Sequence, residues 1–515
     1  MDSYREKIEA YMDGKKEEML EDLKTLVRID SQKGAAEAGK PFGAGPAAAI
    51  AAAQKLMQKY GLTVRNYENY VVTGDLAASS ADTSSEEGAL AEKGLDILAH
   101  LDVVPVTEDW TVTQPFDPRV VDGRIYGRGT ADDKGPAVAA LYALRAIREL
   151  GIPMKKGVRL VLGSDEECGS SDLAYYFGIE KEAPYTFTPD AEFPVINIEK
   201  GRLAASFHAE FGGEAPEAKN SAQTAPSRVL RLKSGDKANV VPGRATLEIA
   251  GLRAETVRLA ADETTRETGV SFDISECKDA AVSECVPASA PGAVQDAGMR
   301  LRIDARGCSA HASTPQEGKN ALTATLRLVS KLSGSLTCGE DDGLRALLAL
   351  ERLFPYEDTC GKSAGVYRED AQSGAVTLCF SILDYTPERL SGTFDARLPV
   401  GCTEENTRRP LMEALAEARL EMEDTPMSKP HCVPGDSAFV KILLESYERY
   451  SGIKGEPLST GGGTYVHGLE RGVAFGCGTP GVDNHMHGDD EFMEIDTLVM
   501  SAKIFADAAV RICNE

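Results

Sequence analysis

No run of eighteen apolar side chains occurs anywhere in the 515 residues, so no transmembrane helix is expected. Met1–Lys16 is charged and lacks an apolar centre, which argues against a secretory signal. Positive charge is scarce: 56 Lys and Arg stand against 81 Asp and Glu, a formal net charge of −25. That balance repels nucleic acid and anionic lipid, and the doublets Lys155–Lys156 and Arg408–Arg409 make no basic patch. The eleven cysteines include no Cys-x-x-Cys pair. They read as reduced thiols of a cytoplasmic protein, supplying neither a disulfide framework nor a thiolate zinc site. The glycine run Gly461–Gly463 is not followed by Gly-Lys-Ser/Thr, so it is no phosphate loop; it suits a backbone that closely approaches a ligand. No internal repeat is visible.

What is present is an alternation of strands and helices. Helical spacing covers residues 4 to 28, loosely broken near Gly14, and again Gly45 to Tyr60. Thr63 to Val72 reads as one strand, and Ala77 to Lys93 as a solvated loop. Apolar strands at Ile97–Val103, Val158–Gly163 and Val195–Ile198 alternate with helices at Ala137–Leu150 and Asp172–Gly178. Such alternation indicates an α/β domain built on a mostly parallel sheet, with ligands outside the carboxyl ends of the strands. From about Gly201 short alternating strands and separate helices give α+β texture, before the first pattern returns with helices at Phe439–Tyr450 and Asp496–Cys513. The expected organisation is a catalytic domain of residues 1–202 and 430–515 with residues 203–429 inserted as a second domain.

Polar residues cluster where the apolar strands end. His100 and Asp102 share one face of a strand of period two, with Leu101 on the other. Alone, His-x-Asp is more often a structural pair than a metal site. Asp132 with Asp133, Glu166 with Glu167, Asp190, and Asp483-Asn-His-Met-His-Gly-Asp-Asp-Glu491 extend the pattern. Two imidazoles and three carboxylates would hold two divalent ions with one carboxylate bridging. Nitrogen and oxygen donors without thiolate favour zinc, with manganese or cobalt compatible. Of two adjacent glutamates, one can bind metal while the other faces substrate as a general base. Asp133 reads as a loop residue beside the site, Cys168 as a small buried residue, and His208 and His431 as structural or surface residues.

The segments His100-Leu-Asp102, Gly127-Arg-Gly-Thr-Ala-Asp-Asp-Lys-Gly-Pro136, Asp165-Glu-Glu-Cys-Gly169, Pro189-Asp-Ala-Glu-Phe-Pro194 and His487-Gly-Asp-Asp-Glu491 resemble, in order, those of the M20 metallopeptidase family. Within it they are most similar to the PepV-type, carnosinase-like dinuclear dipeptidases. The resemblance implies a phosphorylase/hydrolase-like aminopeptidase fold for the catalytic domain, with the inserted α+β domain as a lid. It implies that Asp132 bridges two metals, that His100 and Asp190 complete one site, and that Glu167 and His487 complete the other. His485 competes with His487, but only His487 has the His-x-x-x-Glu spacing.

By the same resemblance Glu166 is the general base and Asp102 orients His100. In the lid, Asn239 and His311 hold the scissile carbonyl oxygen, and Arg397 grips the substrate carboxylate. The implied reaction is dipeptide hydrolysis by a metal-bridging water, in a cytoplasmic monomer with neither nucleic acid nor membrane as partner. A deacylase of N-acyl amino acids on the same centre, or a non-catalytic metal-binding protein, are the competing expectations. Relatives often carry Arg where His467 stands and more neutral residues where Asp489 and Asp490 stand; the acidic pair points towards basic side chains in the substrate.

Overall fold

The computed structural model describes residues 4–79, 92–212, 227–277, 300–337 and 341–515. The chain forms two compact units, Met1–Glu199 with His431–Glu515, and Lys200–Pro430. Gly201 and Arg202 pair with Leu398 and Arg397, which puts them in the second unit and moves the seam a little upstream of the expected 202.

The first unit is built on a mixed sheet. Its strand order is Thr63–Tyr67, Val71–Leu76, Gly157–Gly163, Lys93–His100, Tyr185–Thr188, Gly472–Ala474, Val195–Glu199 and His431–Cys432, with Pro457–Thr460 also against Val195–Glu199. Only the central four strands run parallel to one another; the flanking pairs are antiparallel except that of Pro457–Thr460. The expected mostly parallel sheet is therefore confined to the centre. One cause is that Thr63 to Val72 is not a single strand. Glu68 and Asn69 take left-handed backbone angles, φ 51° and 62°, and turn the chain into a hairpin. Asn tolerates that region because its short amide bonds locally, here with Asn69 Oδ1 accepting from Asn66 Nδ2 at 3.0 Å.

Helix Arg5–Val27 runs unbroken through Gly14, whose cost in a helix is ~1 kcal/mol. Buried Ile8, Met12, Met19 and Leu23 on either side hold the helix against the core. Helix Lys134–Glu149 is buried from Lys134 to Ile147 and lies at the centre of that core. Along Lys93–His100, Leu95, Ile97 and Ala99 enter the main core, whereas Leu98 enters a smaller cluster with Val161, Tyr176 and Tyr465. This alternation decides which way His100 faces. Of the expected loop at Ala77–Lys93, residues 80–91 lie outside the described residues.

The second unit is an antiparallel eight-stranded sheet. Leu203, Ala205 and Phe207 bury one face of a strand, and helices Ala254–Thr268, Ala321–Leu332 and Asp342–Leu353 contribute Val257, Leu326 and Leu347 to the same core. In the edge strand Ser271–Cys277 the alternate residues Phe272 and Ile274 are half-buried against that core and the rest are exposed.

Candidate active site

His100 closes a central strand and is fully buried. Its Nδ1 lies 3.0 Å from the Asp102 carbonyl oxygen, an acceptor only, so Nδ1 carries a proton and Nε2 is the nitrogen that faces the other carboxylates. Nε2 lies 2.9 Å from Asp132 Oδ1 and 3.8 Å from Asp190 Oδ2. The other Asp132 oxygen, Oδ2, lies 2.8 Å from His487 Nε2, which is itself 3.1 Å from Glu167 Oε1. Ligand-type atoms of His100, Asp132 and Asp190, and again of Asp132, Glu167 and His487, lie within 4.8 Å of one another. Five side chains thus form two clusters that share one carboxylate.

The turn Glu166–Cys168 follows strand Gly157–Gly163 directly. The Asp102 carboxylate accepts from Glu166 N–H at 3.2 Å and Glu167 N–H at 3.1 Å. The expected contact to His100 is also there, Asp102 Oδ1 lying 3.5 Å from the ring Nδ1, and the Asp102 carbonyl approaches the same nitrogen at 3.0 Å. Gly163 is required here: a Cβ would stand 2.1 Å from the Tyr465 hydroxyl. That hydroxyl donates to Asp172, which also accepts from Ser164 and Asp165 N–H, while the Tyr465 ring sits edge-on to His100. Asp172, Tyr465 and the Lys33–Asp165 pair at 2.6 Å are supports that sequence reading missed. The apolar strand end marked the place but not these partners.

The electrostatics are those of crowded carboxylates. Burial and the neighbouring Asp190 push the Glu166 carboxyl well up. Burial and Asp132 push Asp190 up to about 7. Burial also raises Glu167, with His487 opposing it. Asp132 goes the other way: burial is outweighed by hydrogen bonds and charge from both histidines. His487 is pushed up to about 10 by its bonds to Asp132 and Glu167. A set of buried acids that retain protons unless cations compensate them, facing two imidazoles, fits a pair of divalent ions.

Asp133 lies beside the clusters; its Oδ2 accepts from His100 N–H at 3.0 Å. His485 turns its Nδ1 to the Asp489 carbonyl at 3.0 Å and belongs to neither cluster. Cys168, expected to be buried, is exposed, because the turn that carries it lies outside the sheet. His208 is half exposed, and His431 is buried with Nε2 2.6 Å from the Gly472 carbonyl. The Asp490 carboxylate accepts from Thr111 and Val112 N–H and from Thr111 Oγ1, and Asp489 from Thr107 Oγ1. Those bonds tie the acidic pair to residues 107–112, a segment far upstream in the chain. His467 contacts Glu199, whose buried carboxylate also accepts from Thr464.

In the second unit, Asn239 and His311 are neighbours: Ala312 N–H donates to the Asn239 carbonyl, and Val240 bridges to His311. His311 Nδ1 accepts from Ser313 N–H at 3.2 Å. Arg397 is 7% exposed, its Nε 2.6 Å and Nη2 3.3 Å from the Asp395 carboxylate.

Residues 97–511 match the model of peptidase family M20/M25/M40. The chain belongs to that family. It is 33% identical to the putative dipeptidase YtjP of Bacillus subtilis over 96% of this chain and 97% of that one. It is 30% identical to the Beta-Ala-Xaa dipeptidase of Lactobacillus delbrueckii subsp. lactis, over 98% and 97%. Human carnosine dipeptidase 1 shares the fold at a TM-score of 0.55 and 16% identity, covering 100% of this chain and 99% of that one. The family's α/β architecture with an additional domain agrees with the two units described, and the chain is a peptidase. No described helix is long and apolar enough to cross a membrane.

Proposed function

We propose that this protein is a dinuclear metallopeptidase that hydrolyses dipeptides, releasing the N-terminal residue. One observation carries the reading: Asp132 turns one carboxylate oxygen to His100 and the other to His487, so that two three-residue clusters share it. Divalent ions held there, zinc in the first instance and manganese or cobalt on the same donors, supply Lewis acidity to water and to the peptide carbonyl. The remaining steps belong to the chain. Glu166 lies in neither cluster, and burial beside Asp190 gives its carboxylate a high proton affinity. It takes the proton of the attacking water and returns it to the leaving amine. Asp102 fixes the turn that presents Glu166 and Glu167. Because His311 Nδ1 accepts from Ser313 N–H, the neutral ring carries its proton on Nε2, the form that donates to the scissile carbonyl oxygen alongside Asn239. Arg397, its plane fixed by Asp395, binds the substrate carboxylate. The chain acts as a cytoplasmic monomer, His311 serving its own site.

Metal-reconstituted protein assayed on unblocked dipeptides and on N-acetyl and N-succinyl amino acids tests the reading. Turnover of the dipeptides is expected. Preference for the acylated amino acids makes the protein a deacylase, and turnover of neither by metal-loaded protein makes it a metal-binding protein.

A further inference from the structure

His487 is the exposed member of the site. Its side chain is 54% exposed, and it stands on a loop rather than on a strand, with His485, His487 and Asp490 all at left-handed backbone angles. His100, by contrast, is positioned by a buried strand. Something other than regular structure must keep His487 within 2.8 Å of Asp132.

Four residues further on stands Glu491, 0% exposed and in neither metal-type cluster. Its Oε2 accepts from Arg128 Nη1 at 2.6 Å and Gly129 N–H at 3.0 Å. Its Oε1 accepts from Ala131 N–H at 2.8 Å and Asp132 N–H at 3.1 Å. Arg128, 2% exposed, donates its Nη2 to the Gly488 carbonyl at 3.0 Å, immediately after His487. One buried carboxylate therefore holds the backbone that carries Asp132, and one buried guanidinium holds both ends of the turn that follows His487.

We propose that Arg128 and Glu491 are positioning residues that fix the separation of Asp132 and His487 before any ion arrives. Ordering a loop costs backbone entropy. A clamp that settles this on folding removes it from metal binding. The consequence is asymmetric: both clusters share Asp132, but only that of Asp132, Glu167 and His487 also takes its histidine from the clamped loop, whereas the other takes His100 from a buried strand. The carboxylate matters more than its shape, because a glutamine in its place would turn an N–H₂ group towards donors.

The inference rests on the two-cluster reading, and the test separates the two. Zinc is titrated calorimetrically into metal-free wild type, Glu491→Gln, Arg128→Lys, and the reference variants His487→Ala and Asp190→Asn. Melting of each metal-free protein reports the fold, and cobalt absorption spectra report the ligand geometry. Wild type should bind two ions. Glu491→Gln should weaken one ion at least tenfold and leave the other within threefold, with a titration and cobalt spectrum like those of His487→Ala. Arg128→Lys, which keeps the charge, should fall between Glu491→Gln and wild type, and it carries the test if Glu491→Gln does not fold. Two unchanged affinities, equal weakening of both, or a pattern like that of Asp190→Asn overturns the clamp. A wild type that binds fewer than two ions overturns the site reading itself.

Discussion

Arg397 tests how far one side chain sets substrate choice. It shares the buried Asp395 carboxylate with Arg202, whose Nη2 lies 2.7 Å away, so Arg397→Ala leaves Asp395 paired and the fold should hold. Losing one partner of a desolvated charge pair costs ~2–5 kcal/mol, so kcat/KM on a dipeptide should fall ~30- to ~4,000-fold. The gap between a dipeptide and its C-terminal amide should narrow, since the amide lacks the full interaction; kinetics on both substrates measure it. An unchanged acid-over-amide preference would place the carboxylate elsewhere. At this scale the sequence was a good guide to candidates and a poor one to partners. His100, Glu166 and Glu167 stand just where apolar runs end and carry metal-binding or acid–base chemistry in their side chains. Asp395 and Asp172 look like any other acids until strands and helices distant in sequence enclose them.

The strand Lys93–His100 shows the same contrast within one element. Its apolar alternation is plain in the sequence and aims His100 at the site, but the alternation also buries Asp96 on the way. Asp96 Oδ2 accepts from Ala183 N–H at 3.0 Å, while burial, with Asp75, Glu182 and Glu180 nearby, pushes its carboxyl up to about 8. The unfolded value is ~3.9. The folded chain therefore holds this proton more tightly, and the stability it gives below about pH 4 is lost as pH rises through about 8. Asp96→Asn keeps the acceptor for Ala183 and cannot ionise. Denaturant unfolding at about pH 5 and about pH 9 should show wild type losing more stability than the variant, by more than ~1 kcal/mol, since a tenfold difference in proton affinity is worth ~1.4 kcal/mol. Parallel loss in both proteins would mean that Asp96 is not the titrating group.

Across the whole molecule, the legible part was whatever repeats or ends sharply. The central parallel strands, the long helices and the antiparallel second unit follow from periodicity. The hairpin at Glu68–Asn69 does not, because left-handed turn residues leave no hydrophobic pattern, and the edge strand Ser271–Cys277 offers only two apolar positions, Phe272 and Ile274. Both kinds of element nevertheless serve a chain whose chemistry meets at one place, a shared Asp132 between two clusters with Glu166 outside both. Glu166→Gln tests that arrangement most directly, with bound metal and kcat measured on the same preparation. Two ions per chain should remain, because Glu166 is no ligand, while kcat on a dipeptide should fall at least ~100-fold for want of proton transfer. Loss of an ion, or turnover close to wild type, would contradict the assignment of Glu166 and Glu167 and the mechanism built on it.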